Sequence, residues 1–350
     1  MKKSEELIDH QYVNWGKLED LLRASLDDIP DAAEMKVKKF SEGYSNVTYL
    51  LSFGEFEVVL RRPPFGAIPP KAHDMQREYS ILTKVSHVYP LAPKPYIFSE
   101  DPEVMGRHFY VMEKKQGVTI DDCIPKEYGT SKEAGPLLSK SVINAMIELQ
   151  SINYQEADLS DIGKPEGYLE RQVYGWMKRY KQAKTQDYAG LAELEAWFTE
   201  KRPKTKETTI VHNDFKLNNL LLHPKDPSMV CGVLDWELST IGDPMTDLGS
   251  TVAYWGQADD PDLGINIITD QPGFLSRREF IEHYANESGR DVSEITYYAA
   301  FGFYKLAVIL QQIYNRWHRG EVEDPRFKHL NHSVANLFEM AHLTRSHQII

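Results

Sequence analysis

Val211 to Pro224 reads VHNDFKLNNLLLHP, and within it His212, Asp214 and Asn219 carry the spacing His-x-Asp-x-x-x-x-Asn. Phosphoryl transfer needs a carboxylate that takes the proton of the attacking hydroxyl and holds its oxygen in line with the γ-phosphorus. It also needs a hard oxygen ligand for Mg2+, and an Asn amide carbonyl suits that cation. A loop carrying Asp214 and Asn219 presents both groups to one cleft. The plainer explanation is an Asx-rich turn after a strand, since Asp and Asn bond their own backbone in turns.

Downstream lies VCGVLDWELSTIGDPMTDLGS, Val230 to Ser250. Its apolar start delivers Asp235 at a strand end, where a second carboxylate can chelate Mg2+ between phosphates. Gly242, Asp243, Pro244 and Asp247 read as support. Asp243 is expected to bond the amides of the catalytic loop from a turn, and Asp247 to cap the next helix.

Upstream the character changes. MKVKKF, NVTYLLSF and EFEVVLRR, between Met35 and Arg62, are strand-like runs split by SEGYS and by a tight turn at Gly54-Glu55. His73 to Val85 has helical spacing, and RHFYVMEKK is a further strand. In the loop from Ser41 to Thr48, Gly43 with Ser45 and Asn46 offers amides and hydroxyls to nucleotide phosphates, although a plain hairpin loop reads the same way. On VVLRR, either Arg61 or Arg62 can reach the α/β-phosphates, steadied by Glu78 on the following helix. Strand alternation sends the two arginines to opposite faces, so only one of them can. A surface Arg–Glu pair is the ordinary alternative.

Beyond Gly117 the pattern is mostly helical. KSVINAMIELQSI is amphipathic, 166–184 and 187–202 read as a helical pair, and YYAAFGFYKLAVIL, interrupted by Lys305, reads as a core helix too short to span a bilayer. Residues 5–26 read as an amphipathic N-terminal helix. At 350 residues the chain exceeds one compact core. The expected class is therefore α+β with two lobes: an N-terminal helix (1–30), a sheet-plus-helix lobe (31–114) and a mainly helical lobe (115–350). A net charge of −12 argues against nucleic acid, whose backbone needs a basic face; it suits solubility or a cationic substrate. Cys123 and Cys231 make neither a disulfide framework nor a metal spacing, which points to the cytoplasm. The opening MKKSEELIDH lacks the apolar stretch of a signal peptide. No membrane partner is expected, and the chain is read as a monomer or homodimer.

The order of these pieces (loop, strand cation, helix acid, hinge, His-x-Asp…Asn, Asp) resembles the protein-kinase-like fold. HNDF and LDWE stand where protein kinases have His-Arg-Asp and Asp-Phe-Gly, and no Ala-Pro-Glu follows, so the chain is similar to the aminoglycoside, choline and macrolide kinases. It looks most like the kinase domains associated with acyl-CoA dehydrogenases, through GYSNVTYLL, VVLRRPPFG, REYSIL, FYVMEKKQG, GYLERQVYGWMKRY, LDWELSTIGDPMTDLG and FGFYKLAVILQQIYNR. The resemblance implies an ATP- and Mg2+-dependent phosphotransferase acting on a small-molecule hydroxyl. It implies Asp214 as base, Asn219 and Asp235 as Mg2+ ligands, the backbone from Glu113 to Lys115 as adenine hinge, and Met112 behind the adenine. Arg replaces the usual strand Lys, and the two are not interchangeable.

Gly167, Arg171, Gln172 and Trp176 belong to the subfamily's pattern and, with Glu237, are the candidates for the acceptor pocket. Tyr168, Tyr180 and Trp197 are further lining residues, or simply core. The association with acyl-CoA dehydrogenases implies a hydroxyacyl-CoA acceptor. The alternatives are an aminoglycoside or other amino-alcohol kinase, and a nucleotide-binding pseudokinase module. Arg171, Lys178, Arg179, Lys181 and Lys184 lean towards an anionic acceptor, though a solvated helix face explains them equally.

Overall fold

The computed structural model describes residues 12–40, 46–65 and 74–350. Ser41, Gly43 and Ser45 lie outside the described residues, as does the first part of the expected N-terminal helix. The chain falls into two compact units: residues up to 116 with 232–237, and 117–231 with 238–350.

In the first unit β1 (Met35–Lys39), β2 (Val47–Phe53), β3 (Phe56–Arg62), β4 (Pro95–Ser99) and β5 (Phe109–Glu113) form one antiparallel sheet in the order β1-β2-β3-β5-β4. Alternation sorts the side chains. Leu51 and Phe53 of β2, Val58 and Leu60 of β3, and Phe109 and Val111 of β5 share one buried cluster, joined by Leu18 and Leu22 of α1 (Trp15–Ser25). Gly54, at φ +64°, turns β2 into β3 so that Phe53 faces Phe56. Helix α2 (Met75–Val85) begins at Asp74, whose carboxylate accepts from the Arg77 N–H at 3.0 Å. It packs on β4 and β5 with Glu78 on its buried side.

In the second unit α3 (Ser131–Gln150) starts well upstream of the amphipathic run that announces it, at a capping box of Thr130 and Glu133. There follow α4 (Tyr168–Ala183), α5 (Leu191–Glu200), α6 (Pro244–Tyr254), α7 (Arg277–Ser288), α8 (Ile295–His318) and α9 (Leu330–Arg345). Two small sheets pair β6 (Thr209–Val211) with β9 (Thr240–Gly242), and β7 (Leu220–His223) with β8 (Asp226–Val233). The core helix expected over 297–310 is the buried heart of α8, packed against α4, α6 and α9. Gly249 and Gly302 let α6 and α8 meet backbone to backbone, for a Cβ on either would strike the other helix. That approach brings Asp247 of α6 and Lys305 of α8 to the same loop. Among the described residues no helix is long and apolar enough to cross a membrane.

Candidate active site

The loop leaving β6 is tied down immediately before Asp214. Asp247 accepts from the backbone N–H of His212 at 2.7 Å and of Asn213 at 2.6 Å, and Lys305 donates to the Asn213 carbonyl. Asn213 has φ +66°, a left-handed conformation that Asn tolerates better than most residues. Its Oδ1 accepts from the Tyr168 hydroxyl at 2.7 Å and its Nδ2 donates to the Leu238 carbonyl at 3.0 Å. These bonds exchange the roles expected of the two supporting acids. Pro244 occupies the first helical position, which leaves Asp243 as the N-cap of α6, accepting from the Met245 N–H at 3.0 Å. Asp247 sits one turn further in, on the side that faces the loop.

Asp214 accepts from Asn219 Nδ2 at 2.9 Å and pairs with Lys216 Nζ at 3.0 Å. Burial opposes its ionisation, but Lys216, Lys305 and His212 outweigh that and hold its carboxyl below the usual carboxylate value. Lys305 moves the other way. Burial keeps its ammonium below the ordinary value, against the pull of Asp214 and Asp247. Asn219 Nδ2 also donates to the Asp214 carbonyl at 2.8 Å, so its nitrogen is committed and its carbonyl oxygen is the group suited to a hard cation.

In the first unit, alternation along β3 separates the two arginines. Arg62 is buried, donating to the Tyr49 hydroxyl at 2.8 Å and the Pro63 carbonyl at 2.9 Å, with its guanidinium 4.0 Å from the Phe65 ring. It is architecture. Arg61 takes the other face and bridges Glu78 and, at 3.2 Å, Asp235. Burial, with Asp235 and Glu237 pushing the same way, outweighs Arg61 and lifts the Glu78 carboxyl to about 7. Asp235 itself has φ +70°, a backbone conformation that re-aims a side chain at the end of a strand. Asn46 donates to Glu237 at 3.4 Å, so Glu237 lies in the first unit while the other acceptor candidates lie in the second. Met112 is buried on β5 opposite Val59. The Glu113 N–H is spent on the Lys94 carbonyl at 2.7 Å, and Lys115 reaches Glu113 at 3.1 Å and the Pro90 carbonyl at 2.8 Å. Among the described residues no cluster of three His, Cys, Asp or Glu could hold a metal. Mg2+ carried by phosphates needs only one or two protein oxygens, which the chemistry of Asn219 and Asp235 fits.

Of the acceptor candidates, Gly167 is the left-handed N-cap of α4, and Arg171 clamps the preceding loop by donating to the carbonyls of Lys164 and Glu166. Gln172 accepts from Trp176 Nε1 at 3.2 Å, and the Trp176 ring lies 5.7 Å from Lys305 Nζ. Tyr180 is buried and packs edge to face against Phe338, which makes it core, and half-buried Trp197 packs tilted against Phe198 and Tyr297. Tyr168 positions Asn213. Sequence reasoning passed over Lys305, although a lone charge in an apolar helical run was the available signal.

The sequence profile of the phosphotransferase enzyme family matches residues 36–280. Acyl-CoA dehydrogenase family member 11 of Homo sapiens is 32% identical over 290 residues, which cover 81% of this chain and 37% of the relative. The chain spans about a third of the length of the curated relatives it matches. Among solved structures, a candidate aminoglycoside phosphotransferase from Ralstonia eutropha aligns over 94% of this chain and 98% of its own, with TM-score 0.75 and 27% identity. A thermostable aminoglycoside phosphotransferase mutant, in a ternary complex with ADP and hygromycin B, aligns over 93% and 97% with TM-score 0.57 and 14% identity, a likeness of fold alone. The architecture is the kinase-like α+β fold expected from the sequence.

Proposed function

The chain belongs to the phosphotransferase enzyme family, and from that premise we propose that it is an ATP- and Mg2+-dependent kinase moving the γ-phosphoryl group to a hydroxyl of a small molecule. The observation that carries this is Asp214, kept ionised by Lys216 and Lys305 on a loop braced through Asp247, Tyr168 and Leu238.

In this reading Asp214 accepts a hydrogen bond from the acceptor hydroxyl, holds its oxygen in line, and takes the proton as the new O–P bond forms and the bond from the γ-phosphorus to the departing ADP oxygen breaks. A carboxylate of low proton affinity is a weak base. Its main service is therefore position, which suits a loose transition state where the proton leaves late. Lys216 and Lys305 add fixed positive charge where phosphoryl charge develops. Asn219 and Asp235 are assigned as oxygen donors to Mg2+, which when bound neutralises charge on the phosphates. Arg61, steadied by Glu78, is assigned to the α/β-phosphates. The loop of Ser41, Gly43, Ser45 and Asn46 is assigned to cover them, Met112 to lie behind the adenine, and the Glu113–Lys115 backbone to line its edge. The ADP complex of a protein of the same fold supports the nucleotide. Kinship with acyl-CoA dehydrogenase family members makes a hydroxyacyl-CoA the first acceptor to try. Cys123 and Cys231, neither of them in a disulfide, fit a reducing cytoplasm.

The test is Asp214→Asn, assayed with Mg·ATP and a panel of 3- and 4-hydroxyacyl-CoA, amino-sugars and amino-alcohols by product mass. Turnover should fall by about a hundredfold to ten-thousandfold while nucleotide binding persists. Undiminished turnover would remove Asp214 as the base.

A further inference from the structure

On the Trp176 side of α4 stands a cation with no carboxylate partner among the described residues. Gln172, Trp176 and Arg179 follow one another at helical spacing and share a side of the helix. Gln172 fixes the indole through Nε1. The Arg179 guanidinium lies 4.3 Å from that ring, and Lys305 Nζ lies 5.7 Å from it. Lys305 is committed to the Asn213 carbonyl beside Asp214. Arg179 is not committed. It forms no ion pair with a described carboxylate, and the one influence on its proton affinity is burial, which lowers it. The other cations of this helix and its C-cap are spent or open to water: Arg171 on backbone carbonyls, Lys184 on Asp187, and Lys178 and Lys181 exposed. Arg179 is exposed as a residue yet has its head against an indole that a second cation shares. Lys305 feels the charge of Arg179, so an anion bound at Arg179 relieves that repulsion, and a guanidinium is built to fork onto carboxylate or phosphate oxygens.

We infer that Arg179 is an acceptor-recognition residue: stacked on Trp176 and backed by Lys305, its guanidinium takes a carboxylate or phosphate of the substrate whose hydroxyl Asp214 activates. The inference rests on the kinase reading and narrows it to anionic acceptors. A polycationic amino-sugar meets repulsion from the same two charges.

Equilibrium dialysis of the parent, Arg179→Glu, Arg179→Lys and Lys178→Glu tests it, with 3-hydroxybutyryl-CoA, free 3-hydroxybutyrate and kanamycin as probes. Arg179→Glu should weaken an anionic probe at least about tenfold, as loss of a charge-assisted bond does. Arg179→Lys should recover part of this, because charge remains but the fork is lost. Lys178→Glu, on the same helix but off the indole, should stay close to the parent. Arg179-dependent binding of free 3-hydroxybutyrate assigns the contact to a carboxylate, which the thioester lacks; Arg179-dependent binding of the thioester assigns it to a phosphate. The inference is overturned if no anionic probe binds the parent, if Arg179→Glu binds it unchanged, or if Lys178→Glu loses as much. Each variant's thermal midpoint guards against misfolding, with Arg179→Lys the least disruptive. The kinase reading fails separately: anion binding that depends on Arg179, with no probe phosphorylated by the parent under Mg·ATP, would sink it and leave the binding site standing.

Discussion

Replacing Asn213 probes how firmly Asp214 is held. Asn213→Ala removes the bonds to the Tyr168 hydroxyl and the Leu238 carbonyl and leaves a Cβ at φ +66°. Each hydrogen bond is worth about 0.5–1.5 kcal/mol net, and the left-handed conformation costs an ordinary residue about 1–2 kcal/mol. Thr246 Oγ1, 3.2 Å from the Tyr168 hydroxyl, spares that group from being stranded, so the loss belongs in the lower half of the range this implies. Asn213→Gly loses the same bonds but escapes the strain, at about 0.5–1 kcal/mol of extra chain freedom. Glycine should therefore be the more stable variant by up to about 1.5 kcal/mol, the reverse of its usual standing against alanine. Chemical denaturation followed by tryptophan fluorescence reads the order. Both variants should also lose kcat, by about a hundredfold for a displacement near 1 Å. Alanine matching or exceeding glycine in stability, or undiminished kcat in both, would refute the account of a clamped loop.

Lys305→Met tests the buried ammonium by pH. Asp214 and Asp247 raise its proton affinity, while burial, Lys216 and Arg179 lower it, and the net value falls below the ordinary 10.5. Between that lowered value and 10.5 the unfolded chain binds more protons at this site, so the parent gains stability as pH rises through this window. The methionine variant should lack that slope, and parallel stability curves for the two proteins would discard the assignment. Arg61→Met strips Glu78, whose side chain is 1% exposed, of its cation. Breaking a buried pair costs about 3–5 kcal/mol, less what Glu78 recovers by taking a proton. The stabilisation on adding Mg·ATP should also disappear and return in part with Arg61→Lys; a parent-like nucleotide shift in Arg61→Met would exclude Arg61 from the phosphates.

What could be read in advance was local. The sheet and the His-x-Asp…Asn spacing depend on neighbours within a strand, a turn or a loop, and the Arg–Glu pair on a strand and the helix that follows it. The choice between Arg61 and Arg62 is a question of parity, and Val58, Val59 and Leu60 are all apolar, so the strand does not reveal which side faces the core. The exchange between Asp243 and Asp247 was legible in principle, because Asp-Pro at a helix start marks an N-cap followed by the first helical residue. The early start of α3 was marked by Thr130 and Glu133, but its first turns lack apolar periodicity and contain Pro136. Lys305 is different. Its burial shows in the run around it, but its partner depends on the approach of α6 and α8 at Gly249 and Gly302, and no local pattern encodes that.

Charge makes the same point about scale. Over the whole chain the net charge of −12 favours cationic partners, and a reading by composition leans towards amino-sugars. Around Asp214 the sign is reversed: Lys216 and Lys305 act directly on its carboxyl, and Arg179 shares with Lys305 the ring of Trp176. Screening confines bulk surface charge to about 8 Å at physiological ionic strength, whereas Lys216 and Lys305 are partly or wholly shielded from solvent and touch the loop itself. The local cluster keeps the carboxylate ionised, and on the proposed reading it favours a negatively charged acceptor. Composition describes how the protein behaves in solution; it does not describe the polarity of its site.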